Sequence, residues 1–200
     1  MPIMRKVAGA RADSKRESLD KILDAAACRI REEGLDGAAI VPVMHEAGLT
    51  HGAFYSHFSS KDDLASAAFG RAITTGRPHW IRPMRGESWS ERLAGLAKRY
   101  LTTAHRDDLS TSCGFATLSS DAAHASDQFR ASYERELRIS LAAICGDDES
   151  DDRLDDAIAL MAVCVGGMAL SRAVVDPKLS KRILQVAREA AAKLFANQRD

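Results

Sequence analysis

Apolar residues recur at helical spacing along nearly the whole chain, and no run alternates convincingly with period two. That constraint leaves an all-α fold. Leu19, Ile22, Ala26 and Ile30 share one helix face, and Glu33-Gly34 followed by Leu35-Asp36-Gly37 reads as a stop and a turn. A short helix is expected over Val41–Ala47, with Pro42 tolerable in its first turn and Gly48 closing it. Thr50 has the chemistry to cap a third helix, His51–Phe58, and Ser59-Ser60 precedes a fourth opening at Lys61. After Arg71 the stretch TTGRPHWIRPMRGES, with two Gly and two Pro, is expected to be a connector or irregular wall. Longer amphipathic helices follow over Trp89–His105, Ser126–Cys145, Arg153–Val174 and Ser180–Asn197.

This pattern divides the chain into a flexible basic arm (1–17), a small helical head (18–70) and a larger helical body (71–200). Two hundred residues, 46% hydrophobic and 28% charged, suit an ordinary globular protein and exclude disordered and fibrous classes. Net charge is zero, so any preference for a polyanion must lie in the local distribution. Residues 1–16 hold Arg5, Lys6, Arg11, Lys15 and Arg16 against Asp13, whereas 147–156 hold seven acids against Arg153. The start of the chain has no apolar run suited to a signal peptide. The longest such run, Ala157–Leu170, is 14 residues, short for an untilted span, so a cytoplasmic protein without a membrane partner is expected. Cys28, Cys113, Cys145 and Cys164 are widely spaced and read as free thiols.

The stretch LTHGAFYSHFSSKDDL, residues 49–64, crowds aromatic and imidazole side chains into about two helical turns. Helix, glycine-marked turn, helix is the order of a helix-turn-helix, whose second helix enters the DNA major groove. In that reading Ala53, Phe54 and Phe58 anchor the helix, and His51, Gly52, Tyr55 and His57 face outward. Gly52 permits close backbone approach, the Tyr and His groups donate to phosphate, and Lys61 adds charge at a helix start. A packing role for these aromatics within a helical interaction module is the competing interpretation; it predicts no preference for any duplex.

Residues 18–69, through KILDAAACRIREEGLDGAA and HEAGLTHGAFYSHFSSKDDL, resemble the N-terminal domain of the TetR family of bacterial transcriptional regulators. The resemblance implies that Thr50 caps the recognition helix, His51 and Ala53 lie at base-reading positions, and Tyr55, His57 and Lys61 contact phosphate. The chain departs from the family pattern at Ala39, where a Ser or Thr is usual, at the following Pro42, and at Ile30 in place of a common Phe. The resemblance further implies a homodimer that binds a double-stranded operator and releases it on binding a small-molecule inducer in the body.

Independent support for a dimer comes from the helix after Arg153, apolar nearly all round between Ala157 and Leu170. Met161, Val165, Gly166 and Met168, with Ile183, Ala187 and Ala190 of the last helix, are the expected interface. An apolar, aromatic pocket is expected from Leu96, Tyr100, Cys113, Phe115, Leu118, Phe129 and Tyr133. The segment around Cys113 and Leu118 also resembles a subset of the family in which some relatives sense electrophiles or oxidants, so Cys113 is open to reading as sensor, pocket residue or inert core. Cys113, His105 and His124 lack the close spacing of a metal site. Neither cofactor nor metal is expected, and no Ser-His-Asp signature, P-loop, GxGxxG or HExxH supports an enzyme.

Overall fold

The computed structural model describes residues 3–82, 85–146 and 150–196, with side chains from residue 12 onward. Among them are ten α-helices and no strand: α1 (Ile3–Glu33), α2 (Ile40–Glu46), α3 (His51–Phe54), α4 (Lys61–Trp80), α5 (Trp89–Tyr100), α6 (Thr103–Asp107), α7 (Gly114–His124), α8 (Asp127–Cys145), α9 (Asp151–Ala173) and α10 (Pro177–Phe195). A short 3-10 turn, Gly34–Ala38, joins α1 to α2. The stretch expected to be a flexible arm instead carries α1 back to Ile3. Asp147, Asp148 and Glu149 of the acidic block lie outside the described residues.

The head is α1, α2, α3 and the start of α4 around Ile22, Ala26, Ile30, Val43, Met44, Phe54 and Leu64, all buried. Its corners are set by backbone chemistry. Gly48 adopts φ +69, and the Leu49 and Gly48 amides donate to Met44 and His45 carbonyls, a Schellman closure of α2 that a left-handed glycine permits. A Cβ at Gly37 would lie 2.4 Å from the Arg29 carbonyl oxygen, so only glycine fits there.

The expected connector after Arg71 is only half irregular: α4 runs on to Trp80, with Pro78 inside it, and the irregular part among the described residues is 81–82 and 85–88, before α5. Burial of Ala72, Ile73 and Trp80, and the Arg77–Glu136 ion pair at 2.8 Å, outweigh the composition of this turn. Pro78 withholds only one amide near the helix end. The expected boundary at 70–71 therefore falls within a helix, and α4 belongs to head and body alike. Other limits also shift: the predicted Trp89–His105 helix breaks at Leu101-Thr102 into α5 and α6, and α8, α9 and α10 begin at Asp127, Asp151 and Pro177.

In the body, α4 packs on α8, and α9 on α10, α8, α7 and α5. Polar links through Arg31 and Asp121 tie the body to the head. Arg31 of α1 donates to the Ser110 carbonyl between α6 and α7 (2.8 Å) and to the Ala72 carbonyl of α4 (2.9 Å). Asp121 of α7 accepts from the Leu35 amide at 2.8 Å, just after Gly34 at φ +71.

Candidate functional site

The outward stretch begins at Thr50, which occupies the N-cap of α3 in an extended conformation. Its side chain makes no capping hydrogen bond; only its carbonyl closes the first turn, accepting from the Ala53 amide at 3.0 Å. The predicted His51–Phe58 helix is shorter than expected. Its regular part ends at Phe54, and Tyr55–His57 form a turn closed by the Phe58 amide donating to the Phe54 carbonyl at 3.0 Å.

Phe54 is fully buried and stacks on Phe58 with centroids 5.6 Å apart, holding the segment down, with Ala53 half-buried against the core. His51, Gly52 and Tyr55 are exposed, Tyr55 by 65%. The His51 and Tyr55 rings meet edge to face at 5.7 Å, and no heavy atom would touch a Cβ at Gly52. His57 is half-buried; burial first, then the nearby Lys15 charge, lowers its pKa. Lys15 is thus a cation beside this surface that spacing within 49–64 does not reveal. Lys61, at the start of α4, lies 3.8 Å from Asp36 in an exposed ion pair. Ser60 caps α4 by accepting from the Asp63 amide at 3.1 Å. The face therefore joins a naked backbone, a phenol, imidazoles and ammonium groups, which suits phosphate and base edges.

In the body a cavity of about 320 Å³ opens among α4, α5, α6, α7 and α8. Of the seven residues expected to line a pocket, only Cys113 and Phe115 do. Leu96, Tyr100, Leu118 and Phe129 are buried in packed core and do not line it. Phe129 and Tyr133 close against Phe69, with Tyr133 stacked on it at 5.3 Å and Phe129 at 5.4 Å, leaving no room between the rings. The Tyr133 and Ser119 hydroxyls pair at 2.6 Å. The real lining is also more polar than expected, through Arg77, His79, Arg99, His105, Asp108 and Thr111 beside Ile73 and Trp80. These residues come from four separate elements, so no local pattern marked them.

His105 ties the cavity wall together. Its Nδ1 lies 2.7 Å from the Tyr100 carbonyl oxygen and its Nε2 accepts from the Cys113 amide at 3.1 Å, which assigns the proton to Nδ1 of a neutral ring. Burial lowers its pKa. Cys113 stands at the N-cap of α7, and burial pushes its thiol up despite hydrogen bonds that act the other way. All four cysteines are free. Among the described residues no three His, Cys, Asp or Glu side chains are placed to hold a metal.

The expected dimer residues separate into two sets. Met161 and Met168 point into the protomer's own core, because helical phase turns them inward, and Val165 and Ala187 are half-buried against it. Gly166 faces open space, whereas a Cβ on Gly167 would meet Ala187 at 2.8 Å. Ile183 is half-buried and Ala190 exposed. The large apolar residues that α9 and α10 leave exposed are Leu154, Ile158, Leu170, Leu179, Val186 and Leu194, each 39% exposed or more. Over one window of 18 residues α9 has a mean hydropathy of 1.6, enough by length and composition alone to cross a bilayer; it packs on five other helices, α5, α6, α7, α8 and α10.

Comparison with known proteins bears on both halves. A family model described as bacterial regulatory proteins, tetR family, matches residues 22–68. YvdT of Bacillus subtilis (strain 168), an uncharacterized HTH-type transcriptional regulator, is 29% identical over 121 residues. That match spans 58% of this chain and 59% of the relative, less than two thirds of its length. In fold the chain is similar to the reduced form of E. coli NemR, with TM-score 0.67 at 16% identity over 87% of this chain and 95% of that one. It is equally similar to a TetR-family regulator of Agrobacterium tumefaciens, with TM-score 0.67 at 18% identity over 88% and 98%. Residues 22–68 thus match the helix-turn-helix domain of bacterial regulatory proteins of the tetR family, and the chain as a whole shares the all-helical fold of solved TetR-family regulators.

Proposed function

We propose that the protein is a ligand-responsive repressor that binds a palindromic operator as a homodimer and is released by a small molecule in the body. The observation that carries this reading is the path of α4, which starts at Lys61 beside the exposed face of α3 and ends at Trp80 in the cavity wall. A ligand releases DNA only by binding the non-DNA conformation better. One that tilts α4 changes the separation of two recognition helices in a dimer. Arg31 and Asp121 give the same cavity region a second grip on the head, through α1 and the Gly34 corner.

In this reading His51 and Ala53 face base edges, Thr50, Gly52, Tyr55, His57 and Lys61 face the backbone, and the exposed apolar residues of α9 and α10 belong to the dimer surface, in the cytoplasm. Burial of Cys113, with its raised pKa, counts against the alternative of a thiol sensor. Selection of duplexes from a random pool tests the reading. A twofold-symmetric preferred site is expected, with His51→Ala altering base preference and Lys61→Ala lowering the salt slope by about one. Equal affinity for every duplex would refute it.

A further inference from the structure

The first helix reaches well beyond the head it belongs to. Among the described side chains, packing on the head's core begins at Leu19, and residues 12–17 are all exposed. The direction of this overhang follows from its neighbour α4. Arg71 of α4 pairs with Asp20 and Asp24 at 2.9 and 2.8 Å, and further along both helices Arg31 donates to the Ala72 carbonyl and the Thr75 hydroxyl, each at 2.9 Å. The two helices therefore run in the same sense, and their N-terminal ends point the same way. For α4 that end is Lys61, beside the exposed face of α3. From Arg71 back to Lys61 is about 15 Å of helix, whereas from Asp20 back to Ile3 is about 25 Å, so α1 continues roughly 10 Å past the start of α4 on the side where duplex would lie.

The overhang also carries the charge that this place calls for. Residues 3–17 hold Arg5, Lys6, Arg11, Lys15 and Arg16 against Asp13 and Glu17, and Glu17 is already paired with Lys21 at 2.8 Å. Among the described residues neither Lys15 nor Arg16 has an ion-pair partner. The Lys15 charge reaches His57, where it adds to burial in lowering the imidazole pKa. A partner for such a helix must be a polyanion that already lies against His57 and Lys61, which is the description of duplex phosphate. We propose that the N-terminal overhang of α1 is a second DNA-contacting element, with Lys15 and Arg16 on backbone phosphates beyond those that α3 and Lys61 reach. It adds to affinity and not to base preference, because contacts to phosphate carry no sequence information of their own.

This assignment rests on the reading of α3 as the recognition helix and is separable from it. The salt dependence of binding is measured for the full-length protein on a duplex recovered from the random pool and on its scrambled counterpart. The double variant Lys15→Gln with Arg16→Gln should lower the slope of log affinity against log salt by about two per protomer, on both duplexes alike. Lys15→Arg with Arg16→Lys should keep the wild-type slope. So should Arg130→Gln with Arg138→Gln, which makes the same change of charge at exposed positions of α8. All four side chains are exposed, so the fold is not at stake. A fall of less than about one per protomer, a fall confined to one duplex, or an equal fall from the α8 pair would overturn the proposal. The recognition reading fails separately: wild type that binds both duplexes equally, with a slope that still depends on Lys15 and Arg16, would remove base readout by α3 and uphold the overhang as a phosphate contact. A retained preference with an unchanged slope would do the reverse.

Discussion

Asp121→Ala removes one side-chain contact between body and head and should be measurable as lost stability. The carboxylate accepts from the Leu35 amide at 2.8 Å, and no other partner of that amide is present among the described residues. A hydrogen bond to a charged group contributes about 1.5–3 kcal/mol, and the half-exposed setting of both residues places this one near the lower end, about 1–2 kcal/mol. For a chain of 200 residues this lowers the thermal midpoint by roughly 2–8 °C. Asp121→Asn keeps an acceptor oxygen but not the charge, so its loss should be about half as large. Thermal and urea unfolding at one fixed protein concentration measure both variants, since a dimer's midpoint depends on concentration. A change below about 0.3 kcal/mol for the alanine variant, or an asparagine variant no more stable than it, would refute the role given to this bond.

Gly167→Ala should destabilise by about 1–3 kcal/mol, because its Cβ would stand 2.8 Å from Ala187 and 3.2 Å from Leu101; chemical unfolding reads the effect. Leu170→Asp, at an exposed apolar position of α9, should leave the protomer folded and shift a dimer to monomer in sedimentation, and an unchanged dimer would exclude that face. Cys113→Ser should respond to electrophile or oxidant as wild type does; loss of operator binding in wild type alone, reversed by reductant in the oxidant case, would make Cys113 the sensor. The pKa of His105 is lowered in the fold, so between its folded value and about 6.5 the unfolded chain binds more protons and stability rises with pH. The thermal midpoint should therefore be level above about pH 7.5 and fall as pH drops below about 6.5, with a shallower fall in His105→Gln.

The head was largely legible because its signals are local. Gly48 marks a left-handed turn and Ser60 a helix cap, and the split between Phe54 inward and Tyr55 outward follows from four consecutive residues. The length of α4 was not legible, since Gly76 and Pro78 argue for a loop and only distant partners, Glu136 and the packed core, hold those residues helical. The pocket failed for a related reason. Aromatic residues such as Phe129 and Tyr133 mark a ligand site or a packed cluster equally well, and the choice depends on where Phe69 lands. Met161 and Met168 were assigned to the dimer face because a helix apolar nearly all round carries no phase signal; the neighbours on one side decide which residues turn inward.

The continuity of α4 also limits how such regulators can be recombined. A chimera that joins this head to another body at residue 70 would cut a helix in mid-course and separate partners across the seam: Arg71 from Asp20 and Asp24, at 2.9 and 2.8 Å, and Arg31 from the Ala72 carbonyl. The exchangeable unit is α1 through Trp80 as one piece, and its far end would bring part of the cavity wall with it. On the proposed function, operator specificity alone would be swapped by grafting the outward side chains of residues 50–57, whereas transplanting the whole head would carry part of the cavity wall with it.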